Sequence, residues 1–248
     1  MLNDIVVFTG PTLSSAEAKK ILPACYLPPA KQGDIYRAYL KYSPKIIALI
    51  DGNFENVPAP WHKEILFAMA QGIHVYGSSS MGALRAAELN DYGMIGVGDI
   101  YKAYKSGKIE DDDEVALIHG PERLGYPALS EAMVNIRRTV EKAYYEEIIS
   151  RRLYQAMLDK AKQLFYIERN YGALINYFSK MKEYEMEISA FGFWLVHNRV
   201  DQKQLDALAL LAILRKAKEK NSPFVASYKF EKTLFWEKMC EQVEAEFT

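Results

Sequence analysis

Cysteine is scarce in this sequence: Cys25 and Cys240 stand far apart, with neither redox nor metal-ligand spacing. That excludes a disulfide framework and makes a reducing, cytoplasmic setting the expectation. Histidine is nearly as rare, and His62, His74 and His197 share no ligand spacing with other histidines, cysteines or acids, so no metal is expected. No apolar run is long: Ala207–Leu214, the longest, falls well short of the roughly 20 residues that cross a bilayer, so no membrane contact is expected. Charge of one sign is missing too. Lys and Arg total 31 against 32 Asp and Glu, which removes the bulk electrostatic pull toward nucleic acid. The 17 tyrosines, without a basic excess, are a poor platform for base stacking. The opening MLNDIVVFTG has no basic region ahead of its apolar run and does not read as a secretory signal. There is no internal repeat and no low-complexity tract.

What the 248 residues do hold is a large apolar share, 50%, enough for a sizeable core. Short apolar runs alternate with helical patterns through the first half. Ile5–Phe8, Cys25–Leu27, Ile46–Ile50, Ile73–Tyr76 and Val115–Ile118 read as strands. Ser14–Glu17 reads as a capping box, Gly33-Asp34 and Pro60 open helices, Gly72 closes one, and Asp99 caps Ile100–Ser106. The acidic run Glu110–Glu114 reads as solvated. From Ser130 onward long periodic segments take over: Glu131–Tyr145, Arg152–Tyr166, Ala173–Met181, Gln204–Lys218 and Lys229–Glu246 read as helices, with Phe191–Val196 the one strand-like run. The fold class that follows is α/β: a parallel, Rossmann-like sheet domain over residues 1–128, then a helical C-terminal region over 129–248.

In such sheets ligands sit beyond the carboxyl ends of the strands. Those ends carry Thr9 and Gly10, Asp51 and Gly52, Ser78–Ser80, and His119. The stretch around Ser80 is the most pointed: a strand, Gly77-Ser78-Ser79-Ser80-Met81-Gly82, then an alanine-rich helix over Ala83–Leu89. It fits a relaxed nucleophile elbow with Ser80 at the tip, an anion cradle without covalent chemistry, or a tight turn built from small residues only to avoid clashes. As a nucleophile Ser80 needs a base, and His119, leaving a later strand at the same edge, is the best placed histidine; it could equally cap its strand. An orienting carboxylate could be Asp51, also a simple turn former, or Glu122. The amides of Met81 and near Gly52 are the oxyanion donors. Arg85 and Glu88 share a helix face, either as a local ion pair or with Arg85 holding an anionic tail.

The run Gly77-Ser78-Ser79-Ser80-Met81-Gly82-Ala83-Leu84-Arg85-Ala86-Ala87-Glu88-Leu89 resembles the signature of the TfuA-like family. Phe8–Leu13, Asp51-Gly52, His62–Leu66, Gly93–Gly98, Asp112–Leu117, His119–Pro121 and Leu129–Ala132 agree with it in order, over about Ile5 to Arg138. The resemblance implies a partner of a YcaO-type ATP-dependent enzyme in thioamidation of ribosomally made peptides. It would supply sulfur by hydrolysing a thiocarboxylated sulfur-carrier protein, with the precursor peptide as a further contact; the alternative is a non-catalytic adaptor or allosteric activator. On this reading Ser80, His119, Asp51 and Glu88 are catalytic, while Thr9, Gly10, Gly52, Ser78, Ser79, Met81, Gly82 and Arg85 bind substrate. No cofactor is implied: the chain lacks a Walker-type loop.

Overall fold

The computed structural model describes residues 4–53, 57–217 and 222–247. Five parallel strands form one sheet in the order β2-β1-β3-β4-β5: β1 Ile5–Phe8, β2 Cys25–Leu27, β3 Ile46–Leu49, β4 His74–Ser78 and β5 Ile95–Val97. Between and after them run α1 Ser15–Ile21, α2 Asp34–Tyr42, α3 His62–Ala70, α4 Met81–Leu89 and α5 Asp99–Lys105. The α/β class expected from the alternating pattern is therefore the observed one. Parallel strands need crossovers, and a crossover helix lands on one face or the other according to the direction of the step. The step from β1 to β2 puts α1 on one face; the later steps run the other way and put α2, α3 and α4 on the opposite face.

Alternation along β1 shows why its sequence is apolar throughout. Ile5 and Val7 join a core with Ala18 and Leu22, whereas Val6 and Phe8 join one with Ile35, Ile65 and Ala86. Both faces are buried, so no position can be polar. With α1 alone, one face would stay open. It is closed from far along the chain by α10, Gln202–Ala217, whose Ala207, Leu210, Leu211 and Leu214 pack on Ile5, Val7, Ile46, Ala48 and Ile50. α11, Leu234–Glu244, packs Trp236, Met239 and Val243 against Tyr36 of α2.

The chain divides into two compact units, Met1–Ile109 with Gln204–Thr248, and Glu110–Lys203. These limits differ from the change of sequence character at 128/129, because α10 and α11 complete the sheet unit. The second unit holds α6 Met133–Tyr145, α7 Arg151–Gln163, α8 Tyr171–Phe178 and α9 Glu185–Asn198 around Met133, Ile136, Leu153, Met157, Leu174 and Phe191. Among the described residues no helix is long and apolar enough to cross a membrane.

Several local expectations are corrected. Val115–Ile118 is not a strand. It follows a 3-10 turn over Asp112–Glu114, and Val115 and Ala116 are apolar because the second unit buries them. The Val115 carbonyl accepts from Lys203 Nζ at 2.9 Å rather than from a sheet partner. The fifth strand is instead Ile95–Val97, short and interrupted by Gly96. The run Phe191–Val196 lies inside α9. The acidic run is not all solvated, since Glu114 is buried. Asp99 is the first residue of α5 rather than its cap; the Asp206 carboxylate takes that place, accepting from Ile100 N at 2.8 Å. Of the helix expected over Gln204–Lys218, Lys218 lies outside the described residues.

Candidate active site

The strand order reverses between β1 and β3, and the crevice beyond their carboxyl ends is where open α/β sheets place ligands. Asp51 lies there, fully buried. Its Oδ2 accepts from Gly10 N at 2.8 Å and Thr12 N at 3.0 Å, and its Oδ1 accepts from Thr12 Oγ1 at 2.6 Å. Thr9 Oγ1 donates to Leu13 O at 2.6 Å. Asp51 is thus neither a simple turn former nor the orienter of a histidine. It ties the loop after β1 to the end of β3, a use that its 39-residue separation from Thr12 hides in the sequence.

One strand over, β4 runs into three serines that are used differently. Ser78 is buried and its hydroxyl lies 2.9 Å from Val97 O and 3.0 Å from Asp206 O, two acceptors sharing one proton. Ser79 donates to Ser78 Oγ at 3.3 Å and sits at φ +66°, in the left-handed region. Because Ser80 N donates to Ser78 O at 2.8 Å, Ser79 is the centre of a positive-φ γ-turn, a rare and strained conformation. A strained non-glycine residue costs on the order of 1–3 kcal/mol and persists only where its surroundings enforce it. The turn lifts Ser80 to the start of α4. Ser80 is only 8% exposed, and among the described residues its hydroxyl meets no hydrogen-bond partner. No fully enclosed side-chain oxygen among the described residues is left unpaired, so this hydroxyl keeps some contact with solvent.

The glycines explain how α4 comes so close. A Cβ on Gly82 would lie 1.7 Å from Leu49 O, and one on Gly77 2.0 Å from Gly82 O. The clash-avoiding reading of the turn therefore holds for these two positions. Gly82 N donates to Ile50 O at 3.2 Å, and Ala83 N to Ser80 O at 2.9 Å. The N–H of Met81 and that of Gly52 find no acceptor among the described residues. The two residues touch: a Cβ on Gly52 would lie 2.7 Å from Met81 Cγ. The Met81 amide, unsatisfied among the described residues at the positive end of α4 and next in the chain to the Ser80 hydroxyl, can hold an anion or a developing oxyanion.

Further along α4, Arg85 and Glu88 form the local ion pair, NH1 to Oε2 at 2.6 Å. His62 Nε2 of α3 joins at 2.8 Å from the same oxygen, and Arg85 Nε donates to Pro60 O at 3.0 Å. Burial pushes the Glu88 carboxyl up, but the His62 and Arg85 hydrogen bonds outweigh it and hold it below its ordinary range. The sequence reading gave His62 no partner, since 26 residues separate it from Glu88. Nearby Glu64 is fully buried and accepts from Ile35 N and Trp61 N, both at 3.2 Å; burial nonetheless lifts its carboxyl to about 7.

His119 belongs to the second unit. Without a strand at Val115–Ile118, it does not leave a sheet edge. It bridges Ala128 across a loop, its Nδ1 lies 2.9 Å from Gly120 O, and its ring meets Tyr126 edge-on. Glu122 sits in a 3-10 turn of that loop. The second unit also gathers Asp111, Asp113 and Glu114, whose ligand atoms lie within 4.8 Å of one another. Cations already occupy the gap between them: Lys162 reaches all three, Arg137 holds Glu114 by two bonds, and Arg169 holds Asp113.

No match to the chain is found among curated proteins. A family model does match. It covers residues 51–170 and so includes Asp51, the serine turn, the Arg85–Glu88 pair and His119, but not the loop after β1. Over residues 51–170 the chain is similar to the TfuA-like proteins.

Proposed function

We propose that the chain supplies sulfur for YcaO-dependent thioamidation of ribosomally made peptides by hydrolysing the thiocarboxylate terminus of a sulfur-carrier protein at Ser80. One observation carries this reading: Ser80, only 8% exposed, has a hydroxyl with no partner among the described residues, and it precedes the Met81 N–H, which likewise meets no acceptor among them, while Gly52, whose N–H is also without one there, packs on the Met81 side chain. A plain turn has no use for that combination, whereas acyl transfer needs both parts. Ser80 Oγ forms a bond to the thiocarboxylate carbon, and the carbonyl oxygen takes up charge facing Met81 N and Gly52 N. The carbon–sulfur bond breaks, and the serine proton leaves with the sulfur as hydrosulfide. Water then cleaves the seryl ester, returning the hydroxyl and a carrier that ends in a carboxylate. The proposal does not rest on His119. Arg85 and Glu88 hold the start of α3 against α4 beside this edge.

The test is sulfide release from a purified thiocarboxylated carrier. Ser80→Ala should lose release while keeping its circular dichroism spectrum, and sulfide added directly should restore thioamidation by the YcaO partner. Unchanged release by Ser80→Ala removes the nucleophile. Failure of added sulfide to bypass the chain favours an adaptor or activator.

A further inference from the structure

The helix α9 keeps an apolar stripe in water. Met186 is 87% exposed, Phe193 82% and Val196 72%, while Ile188 and Phe191 on the opposite side are buried in the second unit's core. A helix that is apolar all round has a second face to cover. At 3.6 residues per turn, Met186, Phe193 and His197 line up, with exposed Ser189 and Ala190 between them. Large and small residues therefore alternate along the exposed ridge. We infer that this face is covered by a second copy of the same chain, with the two α9 helices packed antiparallel about a two-fold axis near Phe191–Gly192.

Two features of the stripe choose that occupant. The first is shape. A two-fold axis at the middle of α9 sets Phe193 of each copy opposite the gap at Ser189 and Ala190 of the other, so one knob and one hole serve twice. The second is charge. The helix starts with exposed Glu185 and ends with exposed His197 and Arg199, the latter also paired with Glu131 at 2.6 Å. Antiparallel packing brings Glu185 of one copy toward the half-exposed Arg199 of the other, twice, and opposes the two helix dipoles. A parallel arrangement would stack like charge on like. Tyr145, 74% exposed, extends the apolar area, because its neighbour Glu146 accepts from Trp194 Nε1 of α9 at 2.7 Å. A contact made through one helix face belongs at the small end of protein interfaces, so association should be in the micromolar range.

Sedimentation of the full chain over about 1–100 µM tests this, a range that spans micromolar affinity. The mass should rise from one chain to two. Phe193→Glu should weaken association at least tenfold, and Ala190→Arg, which fills the hole, should do the same. Both sites are exposed, so thermal unfolding measured at low concentration should not move. Glu185→Arg should weaken association at low salt and much less at high salt. A chain that stays monomeric throughout overturns the inference and leaves the face to another partner. A dimer indifferent to Phe193→Glu overturns it as well, by placing the contact elsewhere. Neither result bears on Ser80 chemistry.

Discussion

The serine turn after β4 and the acidic cluster at Asp111–Glu114 are both dense in polar groups, yet they differ in what is left over. Every carboxylate of the cluster is matched by Lys162, Arg137 or Arg169, so its interactions are consumed in holding the second unit together. At the turn, Ser78 is consumed in the same way, but among the described residues Ser80 Oγ and the amides of Met81 and Gly52 are not. Density of polar residues is thus a poor guide to a site. Unspent hydrogen-bonding capacity, held in place by strain at Ser79 and by backbone contact through Gly82, is a better one.

Substitutions can break that contrast. Ser80→Ala carries the largest expected effect, a loss of at least about 10³-fold in sulfide release with little change in stability. Glu114→Ala should do the reverse. Leaving Arg137 and Lys162 without their buried partner should cost about 3 kcal/mol in urea unfolding, with release per folded molecule retained. Next comes pH. Glu64 has a raised folded-state pKa, so the folded chain binds its proton more tightly than the unfolded chain. Stability should fall as pH rises from the ordinary carboxylate range to about 7, then level off. The drop is at most about 3 kcal/mol, and Glu64→Gln should flatten it. The smallest effect belongs to Glu88, whose folded pKa is lowered. Its contribution is present above the unfolded pKa and lost as pH falls through the folded one. With Glu88 more than a third exposed, Glu88→Gln should change acid stability by only a few tenths of a kcal/mol.

β1 and β3 could be read from the sequence because burial on both faces leaves an unbroken apolar run, and the shorter apolar runs of β2 and β4 were enough to place those strands. β5 could not: Gly96 interrupts it and Ile95 is partly exposed at the sheet edge. Val115–Ile118 imitated a strand because a helical unit buries short apolar runs just as well. The aromatic and branched residues of Phe191–Val196 imitated one because Phe193 and Val196 face water, which erases the helical period. At the site, Ser80, Met81 and Gly82 were legible from local spacing alone. The Asp51–Thr12 tie and the His62–Glu88 contact join residues tens of positions apart, and no local pattern records them. The positive φ of Ser79 was equally hidden, since serine is not the residue that such a conformation normally announces.

The covering of one sheet face by α10 has a consequence for how the molecule is made. During synthesis β1 to β5 emerge long before Ala207–Leu214, so Ile5, Val7, Ile46 and Ala48 must wait, partly uncovered, while some hundred residues of a separate unit are built. A chain cut after Lys203 would carry every residue of the serine turn and still leave that sheet face open to water.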